Sequence, residues 1–192
     1  VLGTGWYAAD AARVRPGSTV VVVGDGAVGL MAVLAAQQRG AERIIAMSRH
    51  PKRQALAQAF GATDIVSERG EKGIARIREM TGGVGADSVL ECVGTAESMA
   101  QALNCCRPGG SIGYVGVPHG VEFDGQQLFF HQKNMLGGPA PVRRFLPDLM
   151  ELVLSRKIDP GKVFDLELPI ADVAEGYRAM DERRAIKTLL RV

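Results

Sequence analysis

Apolar residues in this chain fall into short solid runs, separated by helix-like stretches and punctuated by glycine. Residues 19–23, Thr-Val-Val-Val-Val, form a β-branched block of the kind a strand buried on both faces requires. Gly24-Asp25-Gly26-Ala27-Val28-Gly29 follows, and then a small, apolar stretch over 30–38 that reads as a helix closed by Gly40. The alternation repeats. Strands are predicted over 43–47, 64–66, 88–93 and 111–115, and helices over 52–60, 74–80 and 96–106. A first helix over 6–14 precedes the turn Arg15-Pro16-Gly17, and Pro108-Gly109-Gly110 makes another turn. Strands separated by helices of about ten residues imply parallel βαβ units with right-handed crossovers. The predicted fold is therefore α/β, a Rossmann doubly wound parallel sheet with helices on both faces.

The rhythm lapses into a predicted loop over 118–133, followed by a last short strand over 134–138. Beyond Pro141 come a helix (143–155), the turn Asp159-Pro160-Gly161, a strand (163–168), a helix (171–180) and a strand (186–190). These pieces are too few for a core of their own. They read as part of another domain or as a cap on the sheet, which sets the expected division at 1–139 and 140–192.

Composition narrows the function. A chain of 192 residues accommodates one full α/β domain, and 46% hydrophobic with 23% charged residues is ordinary for a globular protein. The net charge of +2 is spread along the chain, which argues against a nucleic-acid surface. No apolar run approaches the roughly 20 residues of a membrane span. The N-terminus lacks a secretory pattern and an initiator Met, which suggests a processed or excised piece and a cytoplasmic location. Cys92, Cys105 and Cys106 form no CxxC or Cys/His cluster, so they read as inert buried thiols rather than zinc ligands.

The glycine turn carries the chemistry. GxGxxG alone is weak, but here it leaves a buried strand and opens a helix, where a pyrophosphate can sit on free N–H groups at the positive helix end. Gly24 is expected to make the tight turn, Gly26 to let phosphates approach the backbone, and Gly29 to let helix and strand pack closely. Ala27 and Val28, between Gly26 and Gly29, complete the expected cofactor contacts.

An acid that reads the adenosine ribose is expected about 20 residues further on, at the end of the second strand. Ser48 stands there instead, with Arg49, His50, Lys52 and Arg53 behind it. A carboxylate repels a 2′-phosphate, whereas a small hydroxyl residue followed by cations accommodates one. NADP is therefore favoured over NAD, with Ser48, Arg49 and Arg53 as ligands. The missing acid also weakens a reading as an S-adenosylmethionine-binding methyltransferase.

The chain resembles the zinc-type medium-chain dehydrogenases/reductases, the alcohol-dehydrogenase-like enzymes, over essentially its whole length. The resemblance rests on Gly3-Thr4-Gly5, Pro16-Gly17-Ser18, the turn ending at Gly29, Gly61-Ala62-Thr63-Asp64, residues 82–87, Glu91-Cys92-Val93-Gly94, residues 107–110 and Val115-Gly116-Val117. It implies hydride transfer between nicotinamide and an alcohol or carbonyl carbon, with zinc polarising the substrate oxygen. It also implies that the zinc ligands lie in a catalytic domain preceding Val1, to which residues 140–192 return. Thr4 is then expected near the nicotinamide, with the backbone at Val93 and Val115 along its carboxamide and Lys187 reaching the pyrophosphate. A small-molecule alcohol, aldehyde or ketone is the implied substrate, and a homo-oligomer pairing through the strand over 134–138 the implied assembly.

Two alternatives stay open. One is a zinc-free quinone or enoyl reductase sharing the same cofactor half. The other is a module that senses a dinucleotide without turning over a substrate.

Overall fold

The computed structural model describes residues 1–192 as two compact units, Val1–Leu149 and Met150–Val192. In the first unit, helix α1 (Leu2–Ala11) precedes β1 (Thr19–Val23), α2 (Ala27–Gln38), β2 (Arg43–Met47), α3 (Pro51–Ala59) and β3 (Asp64–Val66). Then come α4 (Gly70–Met80), β4 (Ala86–Glu91), α5 (Ala96–Cys105), β5 (Cys106–Tyr114), α6 (Gly125–Phe130) and β6 (Asn134–Gly137). Helix α7 (Val142–Leu154) spans the boundary between the units, whereas the sequence predicts a joint at 139/140.

All six strands lie in one parallel sheet of order β3-β2-β1-β4-β5-β6. This is the doubly wound order, whose winding direction reverses between β1 and β4 and opens a crevice at the strands' C-terminal ends. Val20, Val21 and Val22 are completely buried, as covering both faces of β1 demands, and each contributes about 1.5–3 kcal/mol of burial energy. Helix α2 is apolar all round and buried from Gly29 to Ala36, so it has no solvent face to form an amphipathic stripe. It packs against α1, where Gly5 lies so close to α2 that an added Cβ would stand 2.5 Å from the Ala32 nitrogen.

The sheet and its crossovers follow the predicted pattern. The differences are local. Helix α2 starts at Ala27 rather than residue 30, so the second half of the glycine turn is already its first turn. Helix α4 begins at Gly70, before its apolar positions, and β5 reaches back to Cys106 through an irregular register opposite Ala86 and Ser88. The expected loop over 118–133 contains α6, capped by the Asp124 carboxylate, which accepts from the Gln126 N–H at 2.9 Å. Phe129 and Phe130 of α6 are exposed, so it shows no core-facing periodicity that the sequence could reveal.

The second unit follows its own pattern. A 3₁₀ turn (Pro160–Val163) leads into β7 (Phe164–Pro169), and another (Ile170–Asp172) into α8 (Val173–Asp181) and β8 (Lys187–Arg191). Strands β7 and β8 pair in parallel, joined across the pair by a two-pronged Arg191–Glu167 contact at 2.6 and 3.1 Å.

Candidate functional site

The C-terminal ends of β1, β2 and β4 meet at one edge of the crevice. Gly24 leaves β1 with φ of 114°, in the region that favours glycine, and Gly26 caps α2 in extended conformation. A Cβ on Gly29 would collide with the Gly24 carbonyl oxygen, so helix and strand approach as closely as glycine permits. Gly26 faces the opposite situation, with no heavy atom within 4 Å of an added Cβ. One glycine seals the turn and the other keeps its outer side open.

The first i→i−4 bond of α2 runs from the Leu30 N–H to the Gly26 carbonyl at 2.9 Å. The N–H groups of Ala27, Val28 and Gly29 therefore precede the helical ladder at the positive end of the dipole. No acidic side chain lies in this first turn, and no side chain caps it. The cradle fits a pyrophosphate: backbone donors, positive potential and open space coincide. Beside it a cleft is lined by Val23, Gly24, Met47, Arg69, Val93 and Thr95.

Glu91, at the end of β4, ties the crevice loops together. It is completely buried, and its Oε1 accepts the N–H groups of Val93 and Gly94, both at 2.8 Å. Its backbone carbonyl accepts the Val115 N–H at 2.9 Å, and the Cys92 N–H donates to the Val23 carbonyl at 3.0 Å. Its Oε2 is buried without a hydrogen-bond partner. Helix α5 then starts from a reciprocal cap between Thr95 and Ser98. Val93 and Val115, expected along the cofactor, are thus held by a residue to which the sequence assigns no role.

At the end of β2 the structure gives the predicted residues different situations. Ser48 is 1% exposed and donates to Asp25 Oδ2 at 2.8 Å. Arg53 is 8% exposed, and its Nη1 donates to the Asp25 carbonyl at 3.2 Å and lies 3.5 Å from Asp25 Oδ1. Asp25, the residue between the first two glycines, is itself 6% exposed. Arg49 and Lys52 are exposed. The expected cationic cluster is therefore split, with Arg53 turned inward to a carboxylate and Arg49 left at the surface.

Thr4 is half-buried in the first turn of α1, ahead of Gly5. Lys187 is half-buried at the start of β8 in the second unit, where its N–H donates to Asp165 Oδ1 at 3.2 Å. Burial pushes the Cys105 thiol up to about 12 and the Cys106 thiol up to about 11, and raises Cys92 as well, helped by the Glu91 charge. No group of three or more His, Cys, Asp or Glu side chains is placed to hold a metal ion. No helix is long and apolar enough to cross a membrane.

Residues 27–155 match the family model described as zinc-binding dehydrogenase. The chain belongs to the zinc-binding dehydrogenases. It is 40% identical over 178 residues to a probable zinc-binding alcohol dehydrogenase of Mycobacterium tuberculosis, a match covering 92% of this chain and 45% of that protein. It is 36% identical over 169 residues to an NADP-dependent isopropanol dehydrogenase of Thermoanaerobacter brockii, covering 85% of this chain and 48% of that one. Among solved structures, alcohol dehydrogenase TADH from Thermus sp. ATN1 superposes with a TM-score of 0.91 at 33% identity, covering 99% of this chain and 56% of its own. This dehydrogenase chain spans about half the length of the curated relatives it matches. The six-stranded sheet is that family's Rossmann-like, cofactor-binding fold.

Proposed function

We propose that this chain binds NADP(H) in an oxidoreductase that transfers a hydride between the cofactor and an alcohol, aldehyde or ketone, and that the full-length enzyme depends on zinc. The observation carrying this reading is the cradle at α2, where Gly29 is pressed against Gly24 while the space above Gly26 stays open. The pyrophosphate rests on the N–H groups of Ala27, Val28 and Gly29, opposite the helix dipole. When bound, the nicotinamide ring supplies or accepts the hydride. Glu91 fixes the Val93 and Val115 backbone along the carboxamide, and Thr4 lies beside the ring. No group of this chain's His, Cys, Asp and Glu side chains is placed to hold the metal.

The preference for NADP is supported by Ser48 standing where an acid would read the ribose, and by the exposed Arg49 beside it. A similar protein, the Thermoanaerobacter brockii isopropanol dehydrogenase, is NADP-dependent. The test is alcohol oxidation by the full-length protein with NADP or NAD, followed by nicotinamide absorbance, before and after removal of zinc by a chelator. Turnover with NADP that stops on chelation and returns with zinc supports the proposal. Turnover that survives chelation contradicts the zinc dependence. Arg49→Ala is expected to weaken NADPH binding about tenfold, the loss of about 1.4 kcal/mol for one charge-assisted contact, with NADH binding unchanged.

A further inference from the structure

The carboxylate missing from the end of β2 is replaced by one from the glycine turn. Asp25 sits between Gly24 and Gly26, and its Oδ2 takes the Ser48 hydroxyl proton at 2.8 Å. Its other oxygen and its backbone carbonyl face Arg53 Nη1 at 3.5 and 3.2 Å. All three side chains are at least nine-tenths buried, so water screens their charges weakly. Two groups predicted to receive a 2′-phosphate, one hydroxyl donor and one guanidinium, are thus engaged by a negative charge from the turn that faces the pyrophosphate.

We infer that Asp25 is a specificity-determining residue, whose carboxylate at the adenosine-ribose end opposes a 2′-phosphate and limits the preference for NADP over NAD. This rests on the proposed dinucleotide site. Arg53 cannot serve a 2′-phosphate fully while Asp25 holds it, and the Ser48 hydroxyl turns toward an incoming phosphate only by giving up Asp25. An incoming phosphate also meets like charge behind Ser48, which disfavours its approach. NADH lacks that phosphate and meets neither penalty. Removing the Asp25 charge therefore acts on one cofactor far more than on the other. A purely structural brace on the glycine turn predicts a different pattern, because NADPH and NADH share the pyrophosphate and would lose affinity together.

The experiment titrates NADPH and NADH separately into wild type, Asp25→Asn and Asp25→Ser, by calorimetry, with thermal melting as the control for folding. Asn keeps the size of the side chain, and Ser removes its bulk while retaining a polar group, so either folded variant reports the ratio. We expect the NADPH-to-NADH affinity ratio to rise at least fivefold, mainly through tighter NADPH binding. An unchanged ratio, or equal losses for both cofactors, overturns the inference and leaves Asp25 as a brace only. If wild type binds neither cofactor, the dinucleotide site itself fails, a result distinct from an unmoved ratio.

Discussion

The Ser48 hydroxyl donates to Asp25 Oδ2 at 2.8 Å, joining the end of β2 to the glycine turn after β1. Two positions proposed to serve different parts of a dinucleotide, the phosphate turn and the ribose end, are therefore one bonded unit. A substitution at either position is felt at the other.

The glycines of the turn have separable roles. Gly29→Ala would drive a Cβ into the Gly24 carbonyl oxygen, and relief requires moving a buried helix. A loss of about 2–4 kcal/mol is expected, seen as a lower denaturation midpoint. Gly26→Ala, placed in open space with φ of −76°, is expected to leave that midpoint within about 0.5 kcal/mol. Equal destabilisation by the two would show that the turn is not packed as described.

Glu91 connects the loops after β4 and β5. In Glu91→Ala the N–H groups of Val93 and Gly94 lose their acceptor, the second of them at a buried site, which costs about 1–3 kcal/mol. Glu91→Gln keeps one acceptor oxygen and is expected to retain more than half of that stability in urea denaturation. If the Gln variant is as unstable as the Ala variant, the two hydrogen bonds to Oε1 are not what holds these loops.

Acid sensitivity arises at the opposite end of the sheet. The Asp64 carboxyl is held below its usual range, chiefly by hydrogen bonds from Arg43 at 2.9 and 3.0 Å. For Asp87, burial alone would raise the value, but the Thr19 N–H and Arg107 together outweigh it and lower it. Both folded values lie below the unfolded value near 4, so the stabilisation is complete above about pH 4 and is lost as pH falls through the folded values. Melting temperature is therefore expected to drop on acidification below that point. The Arg43–Asp64 pair is partly exposed, and screening limits it to about 0.5–1 kcal/mol. Asp64→Asn is expected to flatten the acid limb of the melting-temperature profile, and an unchanged limb would assign it elsewhere.

The parallel sheet was legible because β1, β2 and β4 are buried on both faces and must therefore be continuous apolar runs. The cradle was legible because its glycines follow such a run directly. Helix α6 was not, since it is short and its aromatic residues Phe129 and Phe130 point outward. The roles of Asp25 and Glu91 are not legible for another reason. Each is an acid whose partners lie far along the chain or on its own loop, at 23 residues for Ser48 and two or three for the Glu91 amides, and no sequence period marks them. A carboxylate inside an otherwise apolar strand end was the one available signal for Glu91.

The most direct test of the account is a calorimetric titration of NADPH into wild type and Gly26→Val, the variant that fills the open side of the cradle. Saturable one-site binding to wild type and at least tenfold weaker binding to the variant are expected, with both proteins melting as folded domains. NADPH that fails to bind wild type, or binds the folded variant equally well, would contradict it.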